Sequence, residues 1–451
     1  PFHGNGRTAE ARTDGSSQKP NKYRGKTMKT KISILLCAVL SLASPGLYAA
    51  THVVLPGQSI QAAITSASPG DQIIIKGGTY VGENITINKN LDIRREQNAS
   101  VSITGGITFT GLSQLQSFAH FSVTGNLTVT NSKVYLYDCN ATGSLTTTGS
   151  EWTLQECNIG GNVSSTSSTS KFMRSYLTGS FTHATDTTDC TVFQSTIREK
   201  LTTKAQRSWI GYNTIRYMSV DKGHAEIVGN VINGRGSHNK GLLISGANTY
   251  ANVRNNEILN GNRSSSGDKN NEAVGIWVSS PANATIVNNY IHDWKNTYGS
   301  GHWADNCYIG IHVAAPAGEV QILGNKIANC FGTNDSAHTG KFHSKSIVAP
   351  FQGVTMMYNW FNNGKAGGVV GPHNVSTGTG VDLGPPEPRF NDHDGSRNDI
   401  GKNGGHAYDS NGTTASRPII LSAELAPLTI QQGVTGTVKI KTRAAVSTPR
   451  Q

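Results

Sequence analysis

The feature that most constrains this chain is a short unit that returns many times: an apolar residue, two variable positions, an asparagine, another variable position, and an aliphatic residue. It reads Ile210-Gly211-Tyr212-Asn213-Thr214-Ile215, then Ile227-Val228-Gly229-Asn230-Val231-Ile232. Further copies centre on Asn256, Asn289 and Asn325, and a weaker one on Asn359; Cys139-Asn140 and Cys157-Asn158 have the look of earlier rungs. The spacings between the six asparagines are 17, 26, 33, 36 and 34 residues. A repeat built from helices of fixed length does not stretch in this way. A coil of a β-solenoid does, because stacking fixes its strands while its loops lengthen at small entropic cost. Apolar side chains then point inward and stack on like residues. An asparagine at each bend forms a ladder of side-chain amides, which satisfies polar groups that a corner would otherwise bury unpaired.

Composition agrees. At ~150 residues per domain, 451 residues make two or three globular units unless the chain is one long solenoid. Only 15% of residues are charged and 36% hydrophobic, with 51 glycines. Many short strands with polar turns suit that mix, and a helical bundle does not.

Residues 28–50 read as a secretory signal: Met28, Lys29 and Lys31, an apolar run from Ile32 to Ala43, and Ala49 or Ala50 at the cleavage point. Residues 1–27 read as an upstream, non-structural segment. The apolar run is shorter than the ~20 residues of a membrane span, and no later run reaches that length. Residues 1–50 carry eight Lys/Arg against Glu10 and Asp14, so the mature chain keeps +5 of the formal +11. That mild charge permits a polyanionic ligand. It gives no dense basic stripe of the kind nucleic-acid binding needs. A monomer, secreted, periplasmic or at the cell surface, is expected. Five cysteines remain (Cys139, Cys157, Cys190, Cys307 and Cys330), an odd number without a CxxC pair. This disfavours a zinc ribbon and leaves disulfides and buried stacked thiols both open.

The opening segment, Leu55-Pro56-Gly57-Gln58-Ser59-Ile60-Gln61-Ala62-Ala63-Ile64, is followed by Pro69-Gly70-Asp71-Gln72-Ile73-Ile74-Ile75 and Gly77-Gly78-Thr79-Tyr80. It resembles the start of the right-handed parallel β-helix proteins of the pectate-lyase-like superfamily. The resemblance implies an all-β, single-stranded solenoid over 51–375, with a short capping helix near 58–66. It says little about activity, because that superfamily contains lyases, hydrolases, epimerases and inert binding proteins. Residues 388–401 resemble a closing segment found after many bacterial β-helices. Within the closing loop of 376–417, Asp392, Asp394 and Asp399 are oxygen donors at short spacing, read either as a structural turn or as a calcium loop. Residues 418–451 read as a small C-terminal β segment, too short for a complete sandwich.

Coils after Asn230 gain long loops, and six of the 14 histidines lie in 292–373, beside Trp277, Trp294 and Trp303. Function concentrates in such loops. Stacking Ile244, Ile276, Ile311 and Ile347 inward points Trp277 and His312 outward on neighbouring coils. The strand entrances bring Lys240, Glu272, Asp305, His343 and Lys345 to one edge. An aromatic platform beside carboxylates and cations suits an acidic polysaccharide. Removing the proton alpha to a uronate carboxylate needs a base, here His312, and positive charge for the enolate, from Lys240, Lys345 or a calcium ion on Glu272 and Asp305. Trp277, Trp303 and His343 are the expected sugar contacts. The expected function is therefore a carbohydrate-active protein of the lyase type; the alternative is a non-catalytic polysaccharide-binding or structural β-helix.

Overall fold

The structure, a computed structural model, describes residues 49–234, 239–261, 273–294, 308–316, 318–330, 345–349, 352–361, 373–392 and 395–405, with the backbone of two further strands, Ile419–Ala426 and Lys439–Ala445. Between residues 49 and 375 the described residues wind as a right-handed parallel β-helix. Its strands fall on three faces. The first face is an eleven-stranded sheet running from Leu115–Ala119 to Val354–Met357. The second and third belong to one 23-stranded sheet. The second carries short strands such as Glu257–Leu259, Tyr290–His292 and Lys326–Ala328. The third carries Leu127–Thr130, Leu145–Thr148 and Val163–Thr166 early on, and Lys240–Ile244, Ala273–Val278, Tyr308–Val313 and Lys345–Val348 later.

One helix, α1 (Ile60–Ser66), covers the N-terminal end. The Ser59 hydroxyl accepts the Ala62 N–H, an N-cap, while Ile60 and Ile64 are buried against the first coil. The two C-terminal strands pair antiparallel as a separate hairpin, the small β segment the sequence suggests.

Between the first and second faces the chain turns on two residues. The first takes the left-handed conformation in ten successive coils: Asp138, Glu156, Arg174, Gln194, Tyr212, Gly229, Asn255, Asn288, Gly324 and Tyr358 have φ between 46° and 66°. That conformation costs a non-glycine residue about 1 kcal/mol or more. The second residue offsets the cost. Each Asn side-chain amide donates to the next Asn Oδ1, at 2.9 Å for 213 to 230, 230 to 256, 256 to 289 and 289 to 325, and 3.0 Å for 325 to 359. All five donors are almost completely buried. The ladder extends past the six asparagines in both directions. Asn359 donates to Asn374, and upstream the same position is held by Ser195, Ser175 and Cys157. Thus Cys157, not the exposed Asn158, is the rung, and Asn140 next to Cys139 is likewise exposed. Cys139, Cys157, Cys190 and Cys330 are buried free thiols; Cys307 lies outside the described residues.

The third face contains a phase break that alternation does not foresee. Gly241, Gly275 and Gly310 stack at a corner. A Cβ there would lie 2.7, 2.5 and 2.5 Å from the γ-methyls of Ile258, Ile291 and Ile327. Glycine lets the strand pass this close to the second face. The inward column is therefore Leu242, Ile276, Ile311 and Ile347, with Ile244 stacking on Val278 and Val313 one position further along. Ile244 does not stack on Ile276 as simple alignment of the strands suggests, because Lys240 pairs with Val274 rather than with residue 272.

Candidate functional site

The insertions interrupt one corner. Residues 234–239, 260–272, 293–307 and 329–344 each connect a short strand of the second face to the next strand of the third. In earlier coils the same corner takes only residues 142–144, 160–162 or 178–180. The strand ends on either side of these insertions stack in register from coil to coil.

On the third face, Trp277 and His312 occupy one outward column with Leu243 and Val348. The Trp277 and His312 rings lie 4.5 Å apart at 40°. Lys240 Nζ sits 4.1 Å from the Trp277 ring centroid, close enough for a cation–π contact. All three side chains are half-buried. Trp277 and Val348 also pack on Val274 and Ile309, an apolar cluster outside the solenoid core. Lys240 and Lys345 share a column, but Val274 and Ile309 stand between them in it. At ~4.8 Å per coil their backbones are about 14 Å apart, so the two lysines serve different points along the axis. Trp303, His343, Glu272 and Asp305 lie outside the described residues.

A second group, on the second face, is one that sequence reasoning did not single out. His292 Nε2 lies 3.0 Å from Glu257 Oε1, and its Nδ1 lies 2.8 Å from Asp293 Oδ2. Lys402 Nζ, from the closing segment, donates to Glu257 Oε2 at 2.6 Å. The hydrogen bond with His292, and then Lys402, hold the Glu257 carboxyl at about 2 in spite of burial. Burial works against a charged His292, but its hydrogen bonds to Glu257 and Asp293 outweigh this and hold its pKa above the usual imidazole value. Glu257, Tyr290, Lys326 and Trp360 form one outward column. Lys326 Nζ lies 5.6 Å from the Tyr290 ring and 5.1 Å from that of Trp360. The repeat placed Glu257 and Tyr290 beside its asparagines, which was the available signal. Nothing in the sequence brings Lys402 to them.

The closing segment docks on these coils. Asn255 Nδ2 donates to the Lys402 and Gly404 carbonyls at 2.9 and 2.6 Å, and the Gly401 N–H donates to Gly324 O at 2.8 Å. The Asp392 carboxylate accepts the Asp399 N–H at 3.2 Å and also the Gly405 N–H. Asp399 Oδ1 accepts the Asp382 N–H at 2.8 Å. Both carboxylates are thus stapling turns through main-chain amides; Asp394 lies outside the described residues. Among the described residues no three His, Cys, Asp or Glu side chains are grouped to hold a metal ion. Asp392 and Asp399 therefore act as turn residues of the closing segment; Glu272 and Asp305, the other expected calcium donors, lie outside the described residues. Among the described residues no helix is long and apolar enough to cross a membrane.

No protein-family model matches the sequence. No curated protein matches it either. Among solved structures, the chain is similar to a family 6 polysaccharide lyase from Pseudopedobacter saltans (12% identity, 72% of this chain and 92% of that one, TM-score 0.25). It is similar to the A-module of a mannuronan C-5 epimerase from Azotobacter vinelandii (14% identity, 70% and 92%, TM-score 0.25). It is also similar to the pectate lyase Pel9A (14% identity, 80% and 97%, TM-score 0.24). At these values the functional reading rests on this chain's own residues.

Proposed function

We propose that the protein is a carbohydrate-active β-helix whose third face binds an acidic polysaccharide and cleaves it by β-elimination. The observation that carries this reading is the contiguous set of Lys240, Trp277 and His312, with a cation 4.1 Å from an indole that lies 4.5 Å from an imidazole. Indole and imidazole offer a flat surface to a sugar ring. Lys240 offers positive charge to its carboxylate. An imidazole is a proton acceptor near neutral pH. In the proposed step His312 removes the C5 proton of a uronate. The electron pair released forms the C4–C5 double bond, and the C4–O glycosidic bond breaks. The departing oxygen leaves with the bonding pair and is protonated by solvent. Lys240 stabilises the charge that builds on the carboxylate as the proton leaves.

A second reading, binding without cleavage, is favoured by the packing of Trp277 on Val274 and Ile309, which anchors that ring as a structural element would. Incubation with pectate, alginate and glycosaminoglycans, following absorbance of the unsaturated product, separates the two. The lyase reading expects product that falls at least a hundredfold in His312→Gln while Trp277→Ala weakens binding. Retained binding without product on every substrate supports the second reading. Neither binding nor product removes both.

A further inference from the structure

The N-terminal half of the third face carries a regular hydroxyl lattice that the proposed function does not use. Its outward positions form two rows. One row is Thr86, Thr108, Thr128, Thr146, Ser164, Thr182 and Thr202, each in register with the next. The second, two residues further along each strand, is Thr110, Thr130, Thr148 and Thr166. Four consecutive coils thus present the same pair: Thr108 with Thr110, Thr128 with Thr130, Thr146 with Thr148, and Ser164 with Thr166. All are half-buried or exposed. The residue between each pair points inward and is buried: Phe109, Val129, Thr147 and Ser165.

Strand geometry fixes the mesh. Adjacent coils are ~4.8 Å apart, and alternate residues of a parallel strand are ~6.6 Å apart. The seven-membered row is therefore about 29 Å long. Coils in this region repeat every 18 residues without insertion, as Leu127, Leu145, Val163 and Phe181 stack in register. The face is held rigid from both sides. The Ser144 N–H donates to Asn126 Oδ1 and the Ser180 N–H to Asn162 Oδ1 at one corner. At the other, the Ser132 and Ser150 N–H groups donate to the hydroxyls of Ser150 and Ser168. Residues 124–132, 142–150 and 160–168, which span corner, strand and turn in three successive coils, contain no charged residue and no aromatic one.

We propose that this face binds ice. The mesh is close in both directions to the spacing of the oxygen layers on the prism faces of hexagonal ice. Each threonine presents one hydroxyl and one methyl, so water held in the trough between the rows is ordered by hydrogen bonds from one group and by exclusion from the other. A rigid strand array loses little conformational freedom on docking. On those three coils no charged group holds water in an arrangement foreign to the crystal; Lys200 and Lys204 flank only the last member of the long row. The absence of an outward aromatic ring removes the stacking surface that a sugar ligand uses. The face lies on coils upstream of Lys240, Trp277 and His312, and the proposal is independent of the polysaccharide reading.

The test is partition of the full chain into slowly growing ice, together with thermal hysteresis and the shape of a single crystal in a nanolitre osmometer. The protein is expected to be enriched in the ice fraction several-fold over an albumin control and to facet the crystal. Thr146→Lys with Thr148→Lys places two charges in the middle of the lattice and is expected to abolish both effects with unchanged thermal melting. Thr153→Lys, on the first face, is the control and is expected to keep them. Exclusion of the wild type from ice overturns the proposal, and so does undiminished ice binding by the double lysine variant. Adsorption to microcrystalline cellulose or chitin without ice binding also overturns it, and assigns the lattice to a crystalline polysaccharide instead.

Discussion

Replacing Asn289 by alanine tests the ladder at its centre. Asn289 is completely buried. Its Oδ1 accepts the Asn256 N–H at 3.0 Å and the Asn256 side-chain amide at 2.9 Å. Its Nδ2 donates to Val253 O at 2.9 Å, Val287 O at 3.1 Å and Asn325 Oδ1 at 2.9 Å. In Asn289→Ala, the Asn256 N–H is stranded in the core, and an orphaned buried donor costs about 1–3 kcal/mol. The remaining lost bonds weaken neighbours that keep other partners. The Asn256 amide still reaches the Ile227 and Arg254 carbonyls, and Asn325 Oδ1 still accepts the Asn289 N–H. At about 0.5–1 kcal/mol net for each of the four remaining bonds, the total is about 3–7 kcal/mol. Asn289→Ser is expected to cost about half as much. A serine hydroxyl accepts the N–H of the preceding coil at this same ladder position, as Ser175 does for Cys157 at 3.0 Å and Ser195 for Ser175 at 3.1 Å. Urea unfolding gives the stability change, and hydrogen exchange locates it, with protection lost first at Asn256. A denaturation midpoint unmoved by Asn289→Ala, or a serine variant as damaged as the alanine one, would refute the argument that the ladder's bonds stabilise the bends.

Three further outcomes follow from the same geometry. Ile276→Asp puts an unpaired carboxylate in a fully buried column between Leu242 and Ile311 and should abolish cooperative melting; unchanged melting would show that the inward register is wrong. His183 stacks inward between Ser165 and Thr203 and is held to about 4 by burial. Its folded value lies below the ordinary 6.5, so it costs nothing above that pH, and stability falls as pH drops from 6.5 toward 4, by about 3 kcal/mol. His183→Gln should flatten the urea midpoint across that range, and an unchanged slope would contradict the assignment. Glu257, held at about 2, contributes stability that is complete above its ordinary 4.5 and is lost as pH falls toward 2. Glu257→Gln should lower stability by about 1–2 kcal/mol after allowing for solvent screening and speed tryptic cleavage after Lys402; equal cleavage rates would mean the closing segment is held without that ion pair.

The sequence by itself determined the solenoid, the inward and outward positions of most strands, and the ladder. In a stack of in-register coils each residue's neighbours above and below are the equivalent residues of the repeat. A local pattern therefore reports a tertiary contact directly, and Asn213 to Asn359 could be aligned by eye. The same logic placed Trp277 beside His312. It missed that serine and cysteine take over the ladder at 157–195, since only position, and not residue type, marks the column there. Tertiary structure alone decided three things. The close passage at Gly241, Gly275 and Gly310 shifts the phase of the third face and stacks Ile244 on Val278 rather than on Ile276. The closing segment folds back so that Lys402 reaches Glu257, 145 residues away in the chain. Asp392 and Asp399, read as calcium donors or turn residues, accept main-chain amides of that segment. Each of these depends on a contact between parts of the chain that share no period, and a repeat carries information only about what repeats.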